Sequence, residues 1–185
     1  MKTFKKYLFA ILICVIASCA SNPKNIATDA EIEALNKVVS NNSFEILASF
    51  ARPLATGSVN SLANAGLIPP GSTPSRIDVS GSASYLRVIG DRVEANLPYF
   101  GERQISAAYN SNNTGIKFDG IPKDFELVPN TKTKGYTIRF TIDGGTETYQ
   151  VIAQLTPSLL SSLNINSSHR TAIAYEGRIR EYASE

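Results

Sequence analysis

The only histidine, His169, stands between Ser168 and Arg170 in a polar stretch. A serine hydrolase would need that imidazole held by a buried carboxylate and aimed at a serine. The chain has no Gly-x-Ser-x-Gly elbow, so an exposed turn describes His169 better. Glycoside hydrolysis needs two facing carboxyls at a set separation. Glu94, Glu102, Asp119 and Glu126 are available, but any β protein with 16 acids offers such pairs. Asp119, Asp124, Glu126 and Asp143 carry oxygen ligands without the spacing of a calcium loop. One histidine and no cysteine beyond Cys19 leave too few ligands for zinc. Gly144-Gly145 is not followed by Gly-Lys-Ser/Thr, so it reads as a hairpin rather than a phosphate cradle. The expectation is therefore no catalytic residue, no metal and no cofactor.

The most distinctive polar-apolar cluster is Leu97-Pro98-Tyr99-Phe100-Gly101. Pro98 cannot donate a ladder hydrogen bond and marks a strand end, an edge or a bulge. In extended chain, Tyr99 and Phe100 point to opposite faces. One aromatic then enters the core while the other bridges to the amino-terminal helix, or an aromatic offers a contact on a groove or partner surface. Tyr99 and Phe100 are the candidate contact residues, with Arg103 and Arg178 as candidate flanks.

The amino-terminal segment sets where these groups operate. Lys2, Lys5 and Lys6 precede an apolar run from Tyr7 to Ala17. Eleven residues are too few for a permanent membrane span, which takes about 20, but suit a signal-peptide core. The run closes in Ile16-Ala17-Ser18-Cys19, which resembles the lipobox of bacterial lipoproteins. That resemblance implies cleavage before Cys19 and diacylglyceryl transfer to its sulfur, usually followed by amino-terminal acylation. Two or three chains make a durable anchor where one does not. Residues 1–18 are then the signal peptide, 19–27 a lipidated tether and 28–185 a single β-rich exported domain. No acid directly follows Cys19, which in enterobacterial lipoproteins favours sorting to the outer membrane; the expected location is that membrane, facing the periplasm, with exposure on the cell surface as the alternative. Cys14 reads as apolar filler that leaves with the signal. Discounting the three signal lysines turns the formal charge of +2 into −1, so no basic nucleic-acid surface is expected.

The elements that must position these residues follow from periodicity. Thr28-Asp29-Ala30-Glu31 reads as a capping box, and Ile32, Leu35, Val38 and Val39 recur at helical spacing. The spacing predicts a helix over 29–41. Phe44, Ile46, Ala48 and Phe50 then alternate with period two, giving a strand that ends at Pro53. Residues 54–75 read as a long loop with a short helical turn near 60–66. From Arg76 onward short alternating segments follow one another, including a strand at Ile105, Ala107 and Tyr109. Gly90-Asp91 and Asp143-Gly144-Gly145 mark hairpins. The expected fold is α+β: an amino-terminal helix plus a curved antiparallel meander of about eight strands, curling into an open barrel.

Leu97-Pro98-Tyr99-Phe100-Gly101, the preceding Gly90-Asp91 turn and the late Tyr175-Glu176-Gly177-Arg178-Ile179 are similar to the family known as domain of unknown function 4251. The resemblance spans about residues 35–180 and implies an exported β-rich lipoprotein domain without assigned activity. It carries over no functional residue. The sequence thus points to a non-enzymatic envelope module, held to the membrane through Cys19 and binding an envelope protein or peptide. Its rivals are an envelope or glycan hydrolase using acidic residues, and a carrier of a small apolar ligand inside a curled sheet.

Overall fold

The structure is a computed structural model, and it describes residues 27–105 and 115–183. The first element is helix α1 (Asp29–Ser40). The Thr28 hydroxyl accepts from the Glu31 amide at 3.3 Å, and the Glu31 carboxylate accepts from the Thr28 amide at 2.8 Å. Two of the four amides left open at a helix start are thereby satisfied. The helix buries Leu35, Val38 and Val39, as their spacing predicts.

Ten strands follow: β1 (Ser43–Pro53), β2 (Ile77–Asp78), β3 (Tyr85–Ile89), β4 (Arg92–Leu97), β5 (Ile116–Gly120), β6 (Lys123–Asn130), β7 (Gly135–Asp143), β8 (Thr148–Leu155), β9 (Leu160–Ser167) and β10 (Ile173–Glu181). A second helix, α2 (Gly57–Asn64), occupies part of the 54–75 segment. It begins where Thr56 caps the Val59 amide, and it buries Val59 alone. The strand expected at Ile105, Ala107 and Tyr109 lies outside the described residues apart from Ile105.

The sheet order is β5-β4-β3-β1-β10-β9-β8-β7-β6, with β2 paired to β1 and every pairing antiparallel. The fold is therefore two meanders, β3–β5 and β6–β10, joined by the first strand. The α+β class and the curled antiparallel sheet agree with the sequence reading, but a single run of neighbours does not describe the sheet. The first strand sits in the middle because its two edges pair with β3 and with the last strand.

Closure follows from chain length. β5 and β6 lie at opposite edges of a nine-strand path, about 38 Å apart if the sheet were flat at ~4.8 Å per strand. Only Ile121 and Pro122 connect them, a reach of about 11 Å at most. The sheet must curl until its edges approach. Inside the curl the Phe118 ring on β5 lies 6.2 Å from Phe140 on β7 and 5.6 Å from Tyr149 on β8. The interior is filled by alternate side chains, including Phe44, Leu86, Ile138, Leu163 and Tyr175, each under 2% exposed. α1 packs against β1 and β10, and the Tyr136 hydroxyl of β7 donates to Asn36 on the helix at 2.8 Å.

One phase error in the sequence reading has a local cause. A bulge between Ala48 and Phe50 shifts the β1 register, so Ala51 rather than Phe50 enters the core, at 0% exposure. Phe50 turns outward, and the Arg76 guanidinium stacks 3.3 Å above its ring. Gly177 lies opposite Ala48, where a Cβ would sit 2.0 Å from the Leu47 carbonyl oxygen. Nothing larger than hydrogen fits there.

Candidate functional site

The Leu97–Gly101 cluster sits where β4 ends. β4 stops at Leu97 because Pro98 has no amide to continue the ladder. The Pro98 carbonyl instead accepts the Tyr175 hydroxyl at 2.8 Å. Tyr99 turns toward the end of the barrel. Its hydroxyl lies 2.8 Å from the Thr171 hydroxyl and 3.0 Å from the carbonyls of Glu102 and Thr171. Burial raises the Tyr99 phenol above its ordinary range, against the Thr171 hydrogen bonds and the nearby Arg170 charge. Gly101 allows this turn, since a Cβ there would sit 2.5 Å from the Tyr99 hydroxyl. Phe100 is half-buried, packed against the edge of the core.

Beside this corner runs an open groove of about 360 Å³. Its walls are the Ser82–Ser84 loop, the Asn96–Phe100 segment where β4 ends, and Gly115 with Lys117 of β5. The Asn96 amide nitrogen donates to the Ala83 carbonyl at 2.8 Å and so joins the two walls. Gly115 lets β5 approach β4 closely; its Cβ would stand 2.7 Å from the Leu97 carbonyl oxygen.

Below the corner lies a buried ionic cluster. Glu147 is 5% exposed and Arg170 3%. Arg170 grips the carboxylate in fork geometry, Nε to Oε2 at 2.7 Å and Nη2 to Oε1 at 2.8 Å. Its Nη1 donates to the Gly115 carbonyl at 2.9 Å, tying the start of β5 to the far meander. Its guanidinium lies 5.1 Å from the Tyr99 ring centre. Arg103 reaches the same carboxylate at 3.0 Å, Ser167 donates at 2.9 Å and Tyr149 at 3.2 Å. Burial alone would raise the Glu147 carboxyl. Hydrogen bonds from Arg170 and Ser167, with the charges of Arg170 and Arg103, outweigh burial and hold it at about 2. Burial pushes the Tyr149 phenol up to about 12. A fully ionised carboxylate locked between cations is structural chemistry, not a poised acid or base.

Sequence reasoning did not find this cluster. Glu147 lies in the β7–β8 hairpin turn and Arg170 in a turn before β10, where polar residues ordinarily meet solvent.

The residues weighed from sequence as acids are dispersed or already paired. Glu94 and Asp119 face each other across β4 and β5. Glu94 accepts from Tyr85 at 2.5 Å and from Arg87 at 3.5 Å, while Asp119 pairs with Arg92 at 2.8 Å. That hydrogen bond lowers the Asp119 carboxyl. Glu102 accepts from Ser58 on α2, and Asp143 pairs with Lys123. Among the described residues every resolved carboxyl shift is downward. His169 shares a 2.7 Å hydrogen bond with its neighbour Ser168, and its backbone carbonyl accepts from Gln104 and Ile105. Of the expected flanks, Arg103 joins the ionic cluster and Arg178 lies exposed on β10. Cys19 lies outside the described residues. No helix among the described residues is long and apolar enough to cross a membrane.

No curated protein is significantly similar to the chain. Its fold is similar to the crystal structure of a DUF4251 family protein from Bacteroides eggerthii DSM 20697, with a TM-score of 0.54 and 13% identity over 82% of this chain and 87% of that one. The family model described as "Domain of unknown function (DUF4251)" matches residues 27–179, most of the chain and both meanders together. The chain therefore belongs to the DUF4251 family.

Proposed function

We propose that this protein is a lipid-anchored envelope module, not an enzyme, that binds a partner through the groove beside Tyr99 and Phe100. The groove carries the reading. It is open and has both apolar and polar walls, and it is built by the sequence cluster that stands out most. Tyr99 braces the corner from beneath, and Phe100 and Pro98 supply the apolar wall. The downward shifts and pairing of the carboxylates favour binding over acid-base chemistry. The interior filled by Phe118, Phe140, Tyr149 and Tyr175 favours a surface contact over a carried apolar ligand.

The anchor rests on Ile16-Ala17-Ser18-Cys19 following an apolar run. In this reading residues 1–18 are removed, acyl chains attach to Cys19, and 19–27 tether the domain 28–185 to the periplasmic face of the outer membrane. Metabolic labelling with palmitate tests the anchor: the wild type takes up label, and Cys19→Ser accumulates as unlabelled precursor. Label in Cys19→Ser would remove the anchor. Crosslinking in the native envelope tests the groove: Phe100→Ala is expected to lose the crosslinked species that the wild type forms. An unchanged crosslinking pattern would remove the groove.

A further inference from the structure

The charges on the outer face of β3, β4 and β5 are matched with one exception. Arg87 meets Glu45 at 3.0 Å and Glu94 at 3.5 Å. Arg92 meets Asp119 at 2.8 Å. Glu94 also takes the Tyr85 hydroxyl. Lys117 stands on β5 opposite Asn96, and the acids on the same face of β4 and β5, Glu94 and Asp119, are already engaged. Among the described residues it has neither an ion pair nor a side-chain hydrogen bond. It is exposed, and it lines the groove beside Phe100.

The other groove walls restrict what meets that charge. The Asn96 amide nitrogen is occupied by the Ala83 carbonyl, which leaves its Oδ1 to accept a donor from outside. The Ser82 hydroxyl is committed within its own loop: it donates to the Val79 carbonyl at 2.9 Å and lies 2.7 Å from the Ser84 hydroxyl. Pro98 and Phe100 offer apolar surface without a donor. An ammonium, an amide acceptor and an apolar wall within one short groove match three features of a peptide: a carboxylate, a main-chain N–H and an apolar side chain. A uronic sugar supplies the carboxylate but not the apolar side chain.

We infer that this groove takes a short acidic peptide, with a carboxylate on Lys117, a backbone N–H on Asn96 and an apolar side chain against Phe100 and Pro98. The inference rests on the groove reading above and adds the ligand class to it. The carboxylate belongs either to a chain terminus or to an acidic side chain, and the probes separate the two.

The test is fluorescence anisotropy with the full mature lipidated chain in neutral detergent. The probes are labelled Ala-Phe-Ala-Ala with a free carboxyl terminus, its carboxamide, and Ala-Phe-Glu-Ala carboxamide. At least one carboxylate-bearing probe should bind more tightly than the uncharged carboxamide, by about tenfold for one charge-assisted bond. Lys117→Gln should erase that difference, while Lys117→Arg keeps it. Tighter binding by the first probe assigns a chain terminus, by the third an acidic side chain. Equal binding of all three probes, or full discrimination retained in Lys117→Gln, overturns the inference. Tighter binding of an oligoglucuronate than of any peptide overturns the peptide assignment. Loss of the envelope crosslink in Phe100→Ala together with unaltered discrimination in Lys117→Gln would leave the groove standing and remove only its acidic ligand.

Discussion

Two buried glutamates in this protein are each gripped by two arginines, and they do different work. Glu147 is 5% exposed and Glu45 3%. Glu147 lies in the β7–β8 turn, where the Tyr149 hydroxyl meets it, and its main partner Arg170 has a side chain only 1% exposed. Glu45 lies on the outer face of β1, between Arg87 of β3 and Arg180 of β10, whose side chains are 24% and 64% exposed. The Arg87 guanidinium also stacks 3.8 Å from the Tyr85 ring and 4.5 Å from that of Tyr182. The carboxylates are equally dry, but the cations are not. A buried cation has nowhere to go when its carboxylate is removed, whereas a solvated one turns to water. The inner cluster is a lock, and the outer one a clasp that stitches three strands.

The largest expected effect breaks the lock. Glu147→Gln leaves the buried Arg170 guanidinium without its carboxylate and should cost about 3–5 kcal/mol, read as a fall in the urea midpoint. The double variant Glu147→Gln with Arg170→Met should recover most of that loss, since removing both charges removes the desolvation problem. A double variant no more stable than Glu147→Gln would show that the Arg170 contact with Gly115 matters more than the ion pair.

The pH dependence sharpens the same contrast. Glu147 has its folded pKa lowered to about 2 from 4.5, so its contribution is fully present above about pH 4.5. It is lost as pH falls toward 2, and amounts to roughly 3 kcal/mol at 1.36 kcal/mol per unit. Tyr149 is shifted the other way, from 10.0 to about 12. Its contribution is present below pH 10 and lost as pH rises through 12. Thermal unfolding from pH 2 to pH 6 should show the acid arm in the wild type and a much smaller one in Glu147→Gln.

The clasp should yield less. Arg180→Met leaves Glu45 with Arg87 and removes a largely solvated partner, so a loss of about 1 kcal/mol or less is expected, shrinking further in 1 M salt. A loss as large as that of Glu147→Gln would erase the distinction between the two clusters. A further effect of similar size goes in the opposite direction. Ser161, 6% exposed, has a hydroxyl without a hydrogen-bond partner among the described residues. Ser161→Ala should raise stability by about 1 kcal/mol, measured by the urea midpoint.

What the sequence revealed follows the range of the interactions. The α1 cap, its apolar stripe and the Gly90-Asp91 turn depend on residues within a few positions, and they fold as read. The strand-ending role of Pro98 is equally local, because it arises from a missing amide. The placement of β1 is different. Glu45 meets Arg180 across 135 positions, and no periodicity in either segment encodes that meeting. The bulge after Ala48 moves the core position from Phe50 to Ala51, and an alternating pattern gives no sign of it. Glu147, Arg170 and Arg103 look like ordinary turn residues until closure of the sheet buries them together. The unpaired state of Lys117 is likewise invisible before Glu94 and Asp119 are seen with other arginines.

The central position of β1 also sets a timetable for folding. β1 is completed on one side by β10, which is made much later in the chain. Until residues 173–181 leave the ribosome, that side of β1 has open backbone groups and no neighbour. Local hairpins such as β7–β8 form early, while this long-range pairing waits for β10. A nascent polypeptide truncated before Ile173 is therefore expected to remain protease-sensitive throughout its amino-terminal half, although every residue of that half has already been made.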